Sequence, residues 1–501
     1  MNEEISKGDR KRNGRFSSEN EDGFVNPYHT HPPDFKRLGE RFETFKPFVR
    51  YHPNGQSYID FKNPAALREL TRCLLRQDFD LKVMLPEDRL CPTVRPIHYV
   101  CLLSQIFAHL RKHDLVPKEH RLKVLDVGTG ATPIYALLMA RLHPDSTVWA
   151  TDINSESLQY AQETIDLNPD LAQRISLCKV DPAGEILLPV SQTAQRSPPI
   201  FTFTLCNPPF YTSREEMAAA SDIKIESGHA APTAAENELI TPGGEVMFVC
   251  KMIEESLSSR QGALWYTSLL GKASSIAPVH AKLLENKINN YFISSIRQSR
   301  TARWIVGWSF TDHRLPDSLT RTSSPATVKY LPLPNSFQLH PSTNSLSLLK
   351  QHLTEVLTDI GLLQGQVSGT EDWHKHPDLD QYTLLLRPTA QSWSRSARRK
   401  AGRTSAGTDS SAGTEPLFTG RLEICLHVQD RSTEKRREAS PTRGSRSEQL
   451  AQTHMSFHWD QGRSRLNVET FWAYVVRKMQ ERLVGTSTRA SPLDDRNIGR
   501  I

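Results

Sequence analysis

Between residues 123 and 310, seven short apolar runs alternate with stretches of helical periodicity, and few architectures accept that pattern. The runs are 123–127, 147–151, 175–180, 201–206, 263–270, 291–298 and 303–310. Helices fit Pro133–Arg141, Ser155–Leu167, Glu245–Leu257 and Ile276–Asn286. Strands that alternate with helices lie parallel, so the expected class is α/β with a doubly wound sheet. The last two runs, Tyr291–Gln298 and Arg303–Phe310, are joined by a short turn and should close the sheet as an antiparallel hairpin. Ligands of such sheets bind beyond the carboxyl ends of the strands. The residues just after each run are therefore the first place to look for chemistry.

After the first run comes Asp126-Val127-Gly128-Thr129-Gly130. The glycines allow a ligand to approach the backbone closely, and Thr132 is placed to cap a helix that begins at Pro133. The residue three after Gly130 is Pro133, so the dinucleotide fingerprint is not met. The second run ends at Asp152, where an acid can accept from both hydroxyls of a ribose or, more plainly, cap the following helix. After the fourth run comes Asn207-Pro208-Pro209-Phe210. The Asn207 side-chain carbonyl and the Pro208 backbone carbonyl can accept from a planar amine. The two prolines stiffen the loop, and Phe210 offers a ring for stacking. A simple Pro-Pro turn is the alternative for this motif alone. Tyr211 beside it reads equally as pocket wall or as core.

The flanks differ from this centre. Residues 1–25 read as a disordered basic arm and 26–115 as an extension packed on the sheet domain of 116–312. Asn63 and Pro64 should start a helix through Gln77, with Leu67, Leu70, Leu74 and Leu75 on one face. Pro-Ser-rich 313–344 reads as a linker. Residues 345–485 read as a small α+β domain. Leu346, Leu349, Leu353, Leu357 and Ile360 fall at helical spacing, strand-like runs span Tyr382–Arg387 and Arg421–Val428, and Phe471, Val475, Met479 and Leu483 mark a final helix. Segments 389–415 and 430–453 and the tail 486–501 are too poor in apolar residues to offset ordering entropy.

The net charge of +6 is modest but clustered, at Arg10, Lys11, Arg12 and Arg15, at Arg398 to Lys400, and at Lys435 to Arg437. Such clusters are solvated tails or nucleic-acid contacts. Seven cysteines without CxxC pairs indicate neither a zinc site nor a disulfide framework. His229, His280 and Cys206 have no partners at metal spacing. No leader and no membrane-spanning apolar run is read, so the expected setting is intracellular and reducing.

The chain resembles the methyltransferase-like-16 family of U6 small nuclear RNA adenine-N6 methyltransferases from about Pro32 to Phe310. The resemblance rests on Pro32-Pro33-Asp34-Phe35, Asp60-Phe61-Lys62-Asn63-Pro64, Thr71 to Phe79, Pro92-Thr93-Val94-Arg95, the GTG turn and NPPF. Downstream it continues through Gly243-Gly244-Glu245, Trp265 to Lys272, and Arg300-Thr301-Ala302-Arg303-Trp304. It implies a class I S-adenosylmethionine methyltransferase with a Rossmann-like seven-stranded sheet, an N-terminal helical extension and a small α+β C-terminal domain. Cofactor contacts are implied at Arg95, Asp126, Gly128, Gly130, Asp152, Gly184 and Asn207. Family members often carry Glu at the position of Asp152. The spacing from Arg95 to Tyr99 differs by one residue, and Gly184 replaces a residue with a side chain. Tyr28, His29 and His31 replace part of the family's basic arm.

The implied chemistry is attack of an adenine N6 on a sulfonium methyl, with Asn207, Pro208, Pro209 and Phe210 as the catalytic loop. RNA contacts are implied at Arg10, Lys11, Arg12, Arg15, Arg214, Lys224, Lys272, Arg300 and Arg303, each of which is otherwise a solvated surface charge. The C-terminal region matches in outline the family's accessory RNA-binding region, with a protein-interaction module as the alternative. U6 RNA is the expected partner. No metal and no membrane are expected, the chain should be monomeric, and the nucleus is the expected location, with the cytoplasm second. Competing readings are a ribosomal RNA adenine-N6 methyltransferase of the same family, an N5-glutamine protein methyltransferase, which normally carries Tyr in place of Phe210, and a non-catalytic RNA-binding protein.

Overall fold

The computed structural model describes residues 23, 24, 26, 28, 32–92, 96–191, 201–216, 239–298, 301–321, 327–363, 373–376, 379–401, 415–429 and 450–487. Two compact units emerge. The first comprises Met1–Thr311 and Ser318–Pro332, and the second Asp312–Asp317 and Leu333–Ile501.

The first unit is built on a seven-stranded sheet. Its strands are β1 Lys123–Val127, β2 Thr147–Asp152, β3 Ile175–Lys179, β4 Phe201–Cys206, β5 Ala263–Leu270, β6 Tyr291–Gln298 and β7 Thr301–Trp308. Their order is β3-β2-β1-β4-β5-β7-β6. The first five are parallel, and β7 runs antiparallel between β5 and β6. All residues of β4 and β5 are buried. That is why both read as continuous apolar runs rather than alternating ones. Strand β7 begins two residues before the expected Arg303, because its hairpin with β6 is tighter than the sequence suggested.

Helix α1 spans Phe35–Arg41, α2 Pro64–Phe79 and α3 Pro96–Lys112. Asn63 caps α2 by accepting from the N–H groups of Ala65 (2.9 Å) and Ala66 (3.3 Å). This extension is fastened to the sheet domain. Asn168 exchanges hydrogen bonds with the Lys82 backbone at 3.0 and 2.7 Å, and the Tyr99 hydroxyl meets Thr267 Oγ1 of β5 at 2.7 Å. Gly23 and Phe24 lie inside the expected disordered arm, yet Phe24 is buried and its carbonyl accepts from Gln105. Tyr28, which stands where the family's basic arm would run, donates its hydroxyl to Asp78. Helix α4 spans Ile134–Leu142, one residue later than expected. Thr132 does not cap it, because its hydroxyl donates to the Met84 carbonyl at 3.0 Å. Helices α5 Ser155–Asp166, α6 Gly244–Ser258 and α7 Ile276–Glu285 complete the layers.

The expected linker 313–344 is ordered where it is described. Asp317 accepts from the backbone N–H groups of Asn335 (3.0 Å) and Ser336 (2.9 Å). The Tyr330 ring packs tilted against His280 of α7, and the Tyr330 carbonyl accepts from the Tyr291 hydroxyl. The segment therefore belongs to both units by turns. Its prolines mark extended covering chain rather than a spacer.

The second unit is a five-stranded antiparallel sheet of β8 Ser336–Leu339, β9 His374–Lys375, β10 Gln381–Leu386, β11 Thr419–Gln429 and β12 Leu450–Gln461, in the order β8-β12-β11-β10-β9. Helices α8 Leu346–Thr358 and α10 Arg465–Ser487 supply the rest of its core, with Leu349, Leu353, Phe471, Val475 and Met479 fully buried against Leu422, Ile424, Met455 and Phe457. Two expected disordered segments are corrected in part. Helix α9 Arg395–Ala401 and the buried Trp393 lie within 389–415, and β12 begins within 430–453. Strand β12 alternates polar and apolar residues, so its inward Met455, Phe457 and Trp459 were hidden by His454, Ser456 and His458. Helix α10 runs to Ser487, so residues 486 and 487 of the expected tail are helical, and residues 488–501 lie outside the described residues.

Candidate active site

Register places the three expected motifs on one row. Val127 of β1 pairs with Thr151 of β2 on one side and with Cys206 of β4 on the other. Gly128, Asp152 and Asn207 are each the next residue. They open together between β1 and β4, where the strand order reverses and doubly wound sheets bind ligands.

Gly128 and Gly130 both have φ of +69°, a left-handed conformation that side-chain-bearing residues rarely adopt. A Cβ on Gly128 would meet no protein atom within 4 Å, so its outer face is open to a ligand. The turn is tied down by Thr129 N–H to the Thr151 carbonyl (2.9 Å) and by the Thr129 hydroxyl to Asp126 Oδ2 (2.7 Å). Asp126 is buried, and burial pushes its carboxyl up to about 7. Asp152 adds to this, while the Thr129 hydroxyl and the Ala136 N–H oppose it.

Asp152 is also buried. Its Oδ2 accepts from Gly130 N–H (2.9 Å) and its Oδ1 from Asn154 N–H (2.8 Å). Burial raises its pKa. It is not the cap of α5, because Asn154 caps that helix through Ser157 N–H. Each carboxylate oxygen keeps further acceptor capacity, enough for a pair of vicinal hydroxyls. Gly184 lies in the turn after β3. Its N–H donates to the Asp181 carbonyl (2.9 Å), and its own carbonyl accepts from Lys251 of α6 (3.0 Å). Only backbone stands there, and half of its carbonyl capacity is engaged.

Asn207 Oδ1 is buried and has no hydrogen-bond partner among the described residues. An orphaned carbonyl of that kind is destabilising unless a donor arrives, typically by about 1–3 kcal/mol. Pro208 is buried, and among the described residues nothing donates to its carbonyl. Phe210 is half-exposed, with its ring 6.5 Å from that of Tyr211. Tyr211 is core. It is 4% exposed and is bonded through its backbone to Leu239 and Thr241.

The basic residues divide. Arg214 is exposed. Lys272 pairs with Glu216, whose carboxyl is held down to about 2 chiefly by that contact, and its Nζ sits 5.2 Å from the Tyr211 ring centre. Arg303 is half-buried and donates to the carbonyls of Gly271 (2.9 Å) and Ala302 (3.0 Å). Burial lowers its pKa. Both are thus engaged within the protein. Arg10, Lys11, Arg12, Arg15, Arg95, Lys224, His229 and Arg300 lie outside the described residues. His280 meets the Tyr291 hydroxyl at 3.0 Å, and burial raises the pKa of Cys206. No group of three or more potential metal ligands occurs among the described residues. No helix of the described residues is long and apolar enough to cross a membrane.

Sequence reasoning assigned no role to Glu216 or Glu245. Glu245 is 2% exposed and accepts from the N–H groups of Gly271 (2.6 Å) and Lys272 (3.0 Å). The only local signal is an acid in the first turn of a helix after two glycines.

A family model described as RNA methyltransferase matches residues 24–312. The U6 small nuclear RNA (adenine-(43)-N(6))-methyltransferase of Schizosaccharomyces pombe is 36% identical over 279 residues, covering 56% of this chain and 69% of that protein. Human RNA N(6)-adenosine-methyltransferase METTL16 is 33% identical over 296 residues, covering 57% of this chain and 50% of that one. The match spans about half the length of the human and mouse relatives. Among solved structures, the human Mettl16 catalytic domain in complex with MAT2A 3'UTR hairpin 1 aligns with a TM-score of 0.51 and 31% identity, covering 58% of this chain and 96% of that one.

Proposed function

This chain belongs to the RNA methyltransferase family, and from that premise we propose that it methylates N6 of an adenosine in RNA with S-adenosylmethionine as donor, U6 small nuclear RNA being the substrate. The observation that carries the reading is the buried, unpartnered Oδ1 of Asn207, on the same row as Gly128 and Asp152. The residues present fit the donor. The open face of Gly128 would admit it, the spare lone pairs of Asp152 would hold its ribose hydroxyls, and the half-engaged backbone of Gly184 would border it. S-adenosylmethionine supplies an electrophilic methyl on a sulfonium.

Adenine N6 is a poor nucleophile because its lone pair is delocalised into the ring. Asn207 Oδ1 and the Pro208 carbonyl accept its two hydrogens. That orients the nitrogen and favours a more pyramidal, electron-rich form. Proximity and preorganised acceptors supply the acceleration without a strong base. The target base must leave its stack, and Phe210 offers a replacement stacking surface worth roughly 1–3 kcal/mol. The second unit is proposed to bind RNA outside the target site. The chain is proposed to act as a monomer in the nucleus.

The test is transfer of labelled methyl to U6 RNA, a ribosomal RNA fragment and a glutamine peptide, with the modified base mapped. N6-methyladenosine in U6 alone is the expected result. Labelling of ribosomal RNA alone would move the substrate, and labelling of the peptide would overturn the reading.

A further inference from the structure

The buried carboxylate of Glu245 lies outside the cofactor row, yet it is built into the catalytic loop's support. It accepts three donors, the N–H groups of Gly271 (2.6 Å) and Lys272 (3.0 Å) and the Ser275 hydroxyl (2.5 Å). Among the described residues no cation lies within ion-pair distance of it, though the Arg303 guanidinium is near enough to feel its charge. From the other side Arg303 donates to the Gly271 carbonyl at 2.9 Å. The Gly271 peptide is therefore gripped at both of its polar ends.

What rests on that peptide is the Phe210 ring. A Cβ built on Gly271 would lie 2.8 Å from Phe210 Cδ1 and 3.1 Å from Cε1. The ring edge thus packs on a bare Cα. The start of α6 abuts the same loop, since a Cβ on Gly244 would meet Thr212 Cγ2 at 3.2 Å and the Phe210 carbonyl at 3.5 Å. A carboxylate suits this place because all three neighbours are donors. An amide there would turn an NH2 toward one of them.

We infer that Glu245 is a positioning residue that sets the height and tilt of the Phe210 ring by fixing the Gly271–Lys272 peptide beneath it. This rests on the reading that Phe210 stacks the target adenine. A plain structural role, capping the chain into α7, would lower stability without touching the loop.

The test compares Glu245→Gln and Gly271→Ala with the wild-type full chain in three measurements. Hydrogen exchange of the 205–212 segment needs no substrate. Kinetics on a hairpin RNA at saturating S-adenosylmethionine separates kcat from KM, and calorimetry gives cofactor affinity. Both variants should exchange faster over 205–212 and lose roughly tenfold to a hundredfold in kcat/KM for RNA, the scale of a small misplacement of a reacting group. Cofactor affinity should be unchanged. Unchanged loop exchange and unchanged kcat/KM, with only the melting temperature lowered, would overturn the inference. If Glu245→Gln does not fold, Gly271→Ala decides, because its added Cβ would crowd Phe210 Cδ1 (2.8 Å) and Glu245 Oε2 (3.0 Å) and so disturb the ring and its support while the carboxylate itself is kept. If the wild type itself methylates no RNA adenine, the functional reading fails, and loop exchange still decides whether Glu245 holds the loop.

Discussion

The buried acids at the sheet edge of the first unit and the buried acid of the second are handled in opposite ways. In the second, Asp460 is buried and faces the Arg421 guanidinium through two bonds of 2.9 and 3.0 Å, with Glu423 beside them. Arg314 lies over the Trp459 ring and donates to the Gly462 carbonyl. In the first, Asp126 and Asp152 are buried close enough to repel, and neither has a cationic partner among the described residues. A paired buried charge is tolerated because its partner offsets the cost of desolvation. Unpaired acids with spare lone pairs are destabilising alone and make sense where a ligand brings the donors.

The contrast can be broken most sharply at Asn207. Asn207→Ala should lower kcat by about 10²–10³ with melting and RNA affinity intact, since it removes one preorganised acceptor. Near-wild-type turnover would remove the central acceptor from the reading. Next come two acids that should respond oppositely. Asp460→Ala leaves the half-buried Arg421 without its main partner and should destabilise the second unit by about 3 kcal/mol, read by denaturant melts, with cofactor affinity unchanged. Asp152→Ala frees the Gly130 and Asn154 N–H groups and so costs less stability than Asp460→Ala, and it should weaken S-adenosylmethionine binding by roughly 1.5–3 kcal/mol, read by calorimetry. A stability loss at Asp152 with normal cofactor affinity would make the two acids alike.

A subtler difference lies in pH. The Asp126 carboxyl is raised from 3.8 to about 7 in the fold. The folded chain keeps a proton there that the unfolded chain has released. Stability from this group is therefore full below pH 3.8 and is lost as pH rises to about 7. Asp126→Asn should flatten that downward slope in melts of the cofactor-free protein, and an unchanged slope would locate the titration elsewhere. The smallest expected effect is on the second unit's exposed Arg395 and Arg399. Replacing either with Ala should reduce the salt slope of full-length RNA binding by about 1 if it contacts a phosphate. No change for either would favour a protein partner for α9.

Much of the first unit was legible because its signals are local. Strands β4 and β5 are buried along their whole length and read as continuous apolar runs, while Gly128 and Asn207 directly follow their strands and Asp152 ends its own. The second unit was half legible. Heptad-like spacing exposed α8 and α10, but β12 mixes Gln452, His454 and His458 into its apolar face pattern and follows a Ser/Arg-rich stretch. The short β8 sits among prolines that suggested a linker. Its order comes from pairing Ser336 with His458, 122 positions away in sequence, and from Asp317, neither of which a local window contains.

The α/β class and the candidate residues Gly128, Asp152 and Asn207 could be read locally, because strand periodicity and turn chemistry act over a few neighbours. Which charged side chains remain available was settled by packing in three dimensions. It placed Asn154 rather than Asp152 at the helix cap, engaged Lys272 with Glu216 and Arg303 with Gly271, and put Glu245 under the Phe210 loop. Those outcomes depend on side chains meeting across strands far apart in the chain, and a partner's reach is fixed by packing rather than by spacing.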